Sequence, residues 1–280
     1  MLAAEMPRDP RTWPLARPDL DGFSRPGSRP GRALLLHGFT ATPREVLPLA
    51  DALSARGFPV TAIRLPGHGT DVADLERTGS ADWIGAAEAA LLDAAAAGPV
   101  FVAGQSMGGL LALILAARHP ARVRGVASLA APLWFASRNA RVLTPFFRWT
   151  QFWRLVRYVP KGVSDLPPER LSLHFTYDRF PVRAVMALDE VIREASRGLP
   201  AITSPLLVIQ GALDRSAPPA GARVLFERAG TAQKEFVEMK SSHHLLTLDV
   251  ENDAVCARVV DFFARLEAGA VAATAGAGNG

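Results

Sequence analysis

The chain has one cysteine, Cys256, in 280 residues. An internal disulfide is therefore impossible. The thiol falls at an apolar position of a predicted helix, where it packs as a small hydrophobe. Lysine stands only at positions 161, 234 and 240, so nearly all of the 31 basic residues are arginine. The arginines are scattered with no run of five or more basic residues, which argues against a nucleic-acid partner. No apolar run approaches the ~20 residues that a membrane-spanning helix needs. The opening stretch Met1–Pro10 lacks a basic segment followed by an apolar one. No secretory signal is expected from it, and the expected location is cytoplasmic. There are no internal repeats.

What is present is enough for a large core. Hydrophobic residues make up 49% of the chain and charged residues 21%, with a net charge of +4, which is not a disordered composition. The stretch Val100–Gly109 organises the rest. It reads as a short apolar run, then Gly104-Gln-Ser106-Met-Gly108, then an apolar run of helical length, Leu110–Ala117. Gly-x-Ser-x-Gly between a strand and a helix is the pattern of a nucleophile elbow. The turn holds the serine in a strained conformation, and side chains at the two flanking glycines would collide with the strand and helix. The same turn lifts the hydroxyl to a helix N-terminus, where backbone N–H groups can meet developing negative charge.

The flanking sequence alternates strands and helices. Predicted strands are Arg32–His37, Pro59–Leu65, the run before Ser106, Val123–Ala130, Ser204–Gly211 and Lys234–Met239. A helix is predicted from Thr42, with Pro43 at its first position and Glu45 closing a capping box, and it ends at Gly57. Others are predicted over Ser80–Gly98, from the elbow to about His119, over Val182–Ser196, Pro218–Ala229 and Glu251–Glu267. Such alternation predicts an α/β fold: a mostly parallel sheet with helices on both faces. The expected organisation is an N-terminal arm (1–31, with an irregular strand near Phe23), a core (32–131 and 199–267), an inserted cap (132–198) and a disordered tail (268–280). The cap carries Trp134, Phe135, Phe146, Phe147, Trp149, Phe152, Trp153 and Tyr158, interleaved with Arg138, Arg141, Arg148, Arg154 and Arg157. The aromatics are expected to line an apolar acyl pocket and the arginines to face water or an anionic surface. Transient membrane-surface contact through the cap is an open alternative.

A serine needs a base to take its proton, and the base needs an acid to hold its tautomer. In a sheet of this kind the order is Ser, acid, His. Asp214 lies just past the strand ending at Gly211. His243 and His244 lie just past the strand ending at Met239, and His244 is preferred as the base. Asp189 and Asp249 are rival acids but do not follow strands in the required way. His37, His68, His119 and His174 are read as structural or peripheral. Ser106, Asp214 and His244 are thus the candidate catalytic residues. The backbone N–H groups of Phe39 and Met107 are the candidate oxyanion donors by position. No metal or cofactor is expected.

Together His37-Gly-Phe-Thr40, Pro66-Gly-His-Gly-Thr70, Gly104-Gln-Ser-Met-Gly-Gly109, Asp214 with Pro218-Pro219, and His244-Leu-Leu-Thr-Leu-Asp249 resemble the bacterial monoacylglycerol lipase and carboxylesterase group of the α/β-hydrolase superfamily. The resemblance spans roughly 32–131 and 176–267. It implies the α/β-hydrolase fold, the same Ser106, Asp214 and His244, and the donors Phe39 and Met107. It also favours His244 over His243, because the family's histidine directly precedes the apolar-Thr-Leu-Asp run. Residues 133–175 depart from the pattern: where the lipases place an acidic residue for glycerol hydroxyls, this chain has His174 or a neighbour. The expected substrate is a small-molecule acyl ester of short to medium chain, monoacylglycerols included. Acyl transfer, amide or C–C bond hydrolysis, and a non-enzymatic binding protein are the alternatives. Oligomeric state is left open.

Overall fold

The computed structural model describes residues 20–150, 155–162, 166, 167, 170, 171 and 174–277. The expected arm (1–31) lies outside it up to residue 19, as do the cap aromatics Phe152 and Trp153. From Phe23 onward the chain alternates. β1 (Phe23–Arg25) and β2 (Arg32–Leu36) lead through a 3-10 turn, Pro43–Val46, into α1 (Leu47–Ala55). β3 (Val60–Ile63), α2 (Val72–Arg77) and α3 (Ser80–Ala96) follow, then β4 (Val100–Gln105), α4 (Met107–Arg118) and β5 (Val123–Leu129). The next segment holds α5 (Arg138–Trp149), β6 (Tyr158–Pro160), β7 (Arg179–Pro181) and α6 (Val182–Gly198). β8 (Leu206–Gly211), α7 (Pro219–Arg228), β9 (Lys234–Met239) and α8 (Asn252–Ala277) complete the chain.

Seven strands form one sheet in the order β1-β3-β2-β4-β5-β8-β9, and only β1 runs antiparallel to its neighbour. This is the α/β-hydrolase architecture. The alternating side chains of the central strands feed two cores. Leu34, Leu36, Val100 and Val102 face α3, α4, α6 and α7. Ala33, Leu35, Phe101 and Ala103 face α1 and α8. A strand buried on both faces reads as an unbroken apolar run, and β4 is buried at every position. The chain steps outward from β2 to β3, then returns to β4 on the other side of β2. Ligands bind beyond the carboxyl ends of strands where the order reverses in this way. Leu36 pairs with Gly104 at that end, so the loop after β2 and the turn after β4 meet there.

Several elements depart from expectation. The capping box at Thr42 does not form: Thr42 makes no side-chain cap bond. The Glu45 carboxylate instead accepts from the Gly38 N–H at 2.5 Å. Buried at 3% exposure, that carboxylate needs a donor, and Gly38 lies just past the end of β2. The helix after Gly79 is capped by Asp82 on the Gly79 N–H rather than by Ser80, whose hydroxyl donates to Glu190. α6 falls in the segment expected as cap, yet its apolar face (Ala184, Leu188, Val191, Ala195) is part of the core cluster that contains α4. α8 continues past Glu267 to Ala277, into the stretch 268–280 expected to be disordered. Alanine dominates there and is the best helix former. No helix among the described residues is long and apolar enough to cross a membrane.

Candidate active site

Ser106 occupies the turn between β4 and α4 with φ 56° and ψ −115°, a strained conformation for a residue bearing a Cβ. Two neighbours make the turn possible. A Cβ on Gly104 would sit 2.2 Å from the backbone of Gly108, and one on Gly108 would sit 2.0 Å from the Leu36 carbonyl oxygen. The Ser106 N–H is held by the Leu129 carbonyl at 2.7 Å.

Three of the residues named from sequence come together here. Ser106 Oγ lies 2.9 Å from His244 Nε2, and His244 Nδ1 lies 2.9 Å from Asp214 Oδ2. The carboxylate can only accept from Nδ1–H, which leaves Nε2 as the acceptor for the serine hydroxyl. Asp214 is fixed in turn. Its Oδ1 accepts from the N–H groups of Ser216 and Ala217, both at 2.8 Å. Its Oδ2 also accepts from Gln210 Nε2 at 3.0 Å. Gln105 Nε2 donates to the His244 carbonyl at 2.6 Å, so the elbow and the histidine loop are tied directly. Neither glutamine was singled out from sequence, because a glutamine in a buried strand carries no motif.

The other candidates lie elsewhere. The His243 N–H and Nδ1 meet Asp249 Oδ2 at 2.5 and 3.2 Å, so that pair braces the loop. Asp189 pairs with Arg193, and His119 pairs with Glu88. His37 and His68 are fully buried, with ring centroids 5.1 Å apart. His174 is not peripheral: it lines the cavity with Nε2 3.8 Å from Glu45 Oε1.

His37 shapes the oxyanion loop. Its Nε2 accepts the Leu65 N–H at 3.1 Å, so Nδ1 carries the hydrogen and donates to the Gly38 carbonyl at 2.9 Å. Ala41 N–H donates to the same carbonyl at 3.2 Å. The N–H of a trans peptide points opposite to its C=O, so these two bonds set the direction of the Phe39 N–H. Met107 is the first residue of α4, where a backbone N–H has no acceptor inside the helix.

Gly38, Phe39, Ser106 and His244 line a cavity of about 530 Å³, within the usual range for a small ligand. Most of its remaining wall is apolar, including Phe135, Val159, Leu166, Phe180, Val185 and Leu188. Phe39 stacks on Phe180 with centroids 5.6 Å apart. Of the expected cap aromatics Phe135 lines the cavity, Trp134 packs against the core and Phe146 is exposed. Glu45, Lys161 and His174 form a polar cluster in the same wall. Two of the three were not expected at the site: Glu45 reads as a helix cap, and Lys161 as one cation in an arginine-rich segment, whereas the resemblance set His174 or a neighbour in place of the lipases' acidic residue.

Burial disfavours charge throughout this cluster. It pushes Glu45 up to about 7, against the Gly38 N–H bond and the attraction of His244 and Lys161. It pushes Lys161 down to about 8, with Glu45 pulling the other way. It drives His174 well below the usual imidazole range, assisted by the positive charges of Lys161 and His244. At His244 burial also opposes the charged form, but the Asp214 carboxylate, its hydrogen bond and the Glu45 charge outweigh it, and the net direction is upward. At Asp214 burial is likewise outweighed, by the charge and hydrogen bond of His244 and by the Ala217 and Gln210 donors, and the net direction is downward.

A parallel sheet with a serine on the turn after β4, an acid past β8 and a histidine past β9 defines a hydrolase of the α/β-hydrolase fold. The chain belongs to the family described as serine aminopeptidase, S33, whose model matches residues 28–251. It is 32% identical over 239 residues to a thermostable monoacylglycerol lipase of Bacillus sp. (strain H-257), covering 84% of this chain and 91% of that one. It is 25% identical over 238 residues to a carboxylesterase of Bacillus subtilis (strain 168), covering 84% and 92%. A solved structure from the metagenome-derived lipolytic enzymes LipS and LipT superposes with a TM-score of 0.79 at 27% identity, covering 89% of this chain and 98% of the other.

Proposed function

We propose that the protein is a serine carboxylic-ester hydrolase acting on short- to medium-chain acyl esters, monoacylglycerols among them, through an acyl-enzyme on Ser106. The observation that carries this reading is the Ser106–His244–Asp214 hydrogen-bonded line opening onto a largely apolar cavity. Similarity to ester-hydrolysing relatives along most of the chain supports it.

In this reading His244 Nε2 takes the Ser106 proton as Oγ attacks the ester carbonyl, and Asp214 holds the imidazolium. The oxyanion forms against the N–H groups of Phe39 and Met107. His244 then gives its proton to the leaving alcohol oxygen, and Ser106 retains the acyl group. Water enters and loses a proton to His244 as it attacks the acyl carbon. The acyl–Oγ bond then breaks, His244 returns that proton to Ser106 Oγ, and the acid is released. The apolar wall suits the acyl chain. The cluster of Glu45, Lys161 and His174 suits an alcohol bearing further hydroxyls, which favours monoacylglycerols among possible esters. Amide hydrolysis is the second reading, because the family's own description is that of a peptidase.

Ser106→Ala should lower turnover of p-nitrophenyl butyrate by several orders of magnitude, on the order of 10⁴ or more. A fluorophosphonate probe should label the wild type and not the variant. Undiminished turnover in the variant would end the proposal. A rate profile over acyl chain lengths, with monoacylglycerols and an aminoacyl p-nitroanilide included, separates ester from amide specificity.

A further inference from the structure

The loop that carries Phe39 is held from beneath by His37 and from the side by Glu45. It is also held from the inserted segment. Thr40 has φ 64°, a left-handed conformation unfavourable for a β-branched residue, so something must keep it there. Its hydroxyl donates to the Phe39 carbonyl at 2.6 Å and lies 2.8 Å from the Thr176 hydroxyl. Lys161 Nζ donates to Thr40 Oγ1 at 2.9 Å and also to Thr176 Oγ1. An ammonium has donors only, so the hydrogens of both hydroxyls must point elsewhere. The chain then runs in one direction: Lys161 to both threonines, Thr176 to Thr40, and Thr40 to the Phe39 carbonyl.

Lys161 directly follows β6, and its own N–H donates to the Asp178 carbonyl at 2.9 Å. Phe180, on the paired strand β7, stacks on Phe39 with an interplanar angle of 15°. The β6–β7 hairpin therefore meets the loop twice, once by charge and once by an aromatic face.

We propose that Lys161 is a positioning residue for the oxyanion site, acting through Thr40 to hold the Phe39 backbone so that its N–H faces the reacting carbonyl. The inference rests on the serine-hydrolase reading, which makes the Phe39 N–H a donor. The charge of Lys161 is part of the device, because donors on an ionised group are roughly twice as strong as neutral ones. The titratable groups that face it are Glu45, His174, His244 and His68. Burial keeps His68 and His174 neutral, and Glu45 favours the ammonium. With Lys161 brought down to about 8, its charge is complete well below that pH and is lost as pH rises through it.

The test is steady-state kinetics on p-nitrophenyl butyrate, whose leaving group offers no glycerol hydroxyls, from pH 6 to 9.5 with the full chain. The wild-type profile should fall on an alkaline limb near pH 8. Lys161→Met should lower kcat about tenfold or more with KM within about twofold, and its profile should lack that limb. Lys161→Arg should restore most of kcat. Thr40→Val keeps the branched shape and removes the hydroxyl. It should cause a similar loss, and the double variant should be no worse than either single one. Wild-type kcat in Lys161→Met, an alkaline limb that persists in it, or additive losses in the double variant would each overturn the inference. Those outcomes with an inactive Ser106→Ala count against Lys161 alone. An active Ser106→Ala removes the underlying reading instead.

Discussion

Glu45 shows how one side chain changes meaning between sequence and structure. Three residues after Thr42, and just after Pro43, it has the spacing of a helix cap, and local spacing is all that a sequence displays. In the fold its carboxylate is buried, bonded to the Gly38 N–H and within 3.8 Å of His174. Its negative charge favours protonated His244. Glu45→Gln keeps the shape and an acceptor for Gly38 but removes that charge. The His244 pKa should then fall, and the acid limb of the kcat/KM profile for p-nitrophenyl butyrate should move to lower pH. A limb that stays in place or moves upward would show that Glu45 has no electrostatic hold on His244.

At the scale of elements, the β4–α4 elbow was legible because its constraint is local. Five consecutive residues contain the strained serine and the glycines that permit it. The physical test is a pair of identical substitutions with opposite outcomes. Gly108→Ala places a Cβ 2.0 Å from the Leu36 carbonyl oxygen, forcing β2 and α4 apart. It should destabilise the protein by about 3 kcal/mol or more. Gly85→Ala lies in α3 with nothing within 4 Å of the new Cβ, and it should stabilise by about 0.5–1 kcal/mol. Urea unfolding of both variants measures the two signs. By contrast, the β6–β7 hairpin and α2 went unread. Both strands of that hairpin are three residues long, and α2 has six residues. Such short elements take their stability from what they pack against rather than from their own pattern.

At the scale of the whole molecule, several imidazoles are folded into the interior uncharged. Burial lowers His68 to about 4 and drives His37 and His174 well below the usual range. The unfolded chain takes up protons at these groups near pH 6.5, while the folded chain refuses them. The stability they permit is therefore present above pH 6.5 and is lost as pH falls below it. The slope is about 1.4 kcal/mol per pH unit for each group. For fully buried His68 the loss is on the order of 3 kcal/mol by pH 4. The urea midpoint should be clearly lower at pH 5 than at pH 7, and His68→Asn should flatten the dependence. An unchanged midpoint would mean that these groups accept protons in the folded state.

The alternation of apolar strands and amphipathic helices determined the parallel sheet, since each pattern is a direct record of which faces are buried. The order of Ser106, Asp214 and His244 after successive strands determined that the three would share one sheet edge, and in the structure they stand 2.9 Å apart in sequence of contact. Tertiary structure alone decided the partners around that line: His243 to Asp249, Gln210 on the acid, and Glu45 on Gly38. It also brought Lys161 across 121 residues to Thr40. The physical reason is that burial patterns are periodic and therefore written along the chain. A buried charge is satisfied by whichever donor or acceptor the fold brings within reach, and that neighbour carries no mark in the sequence.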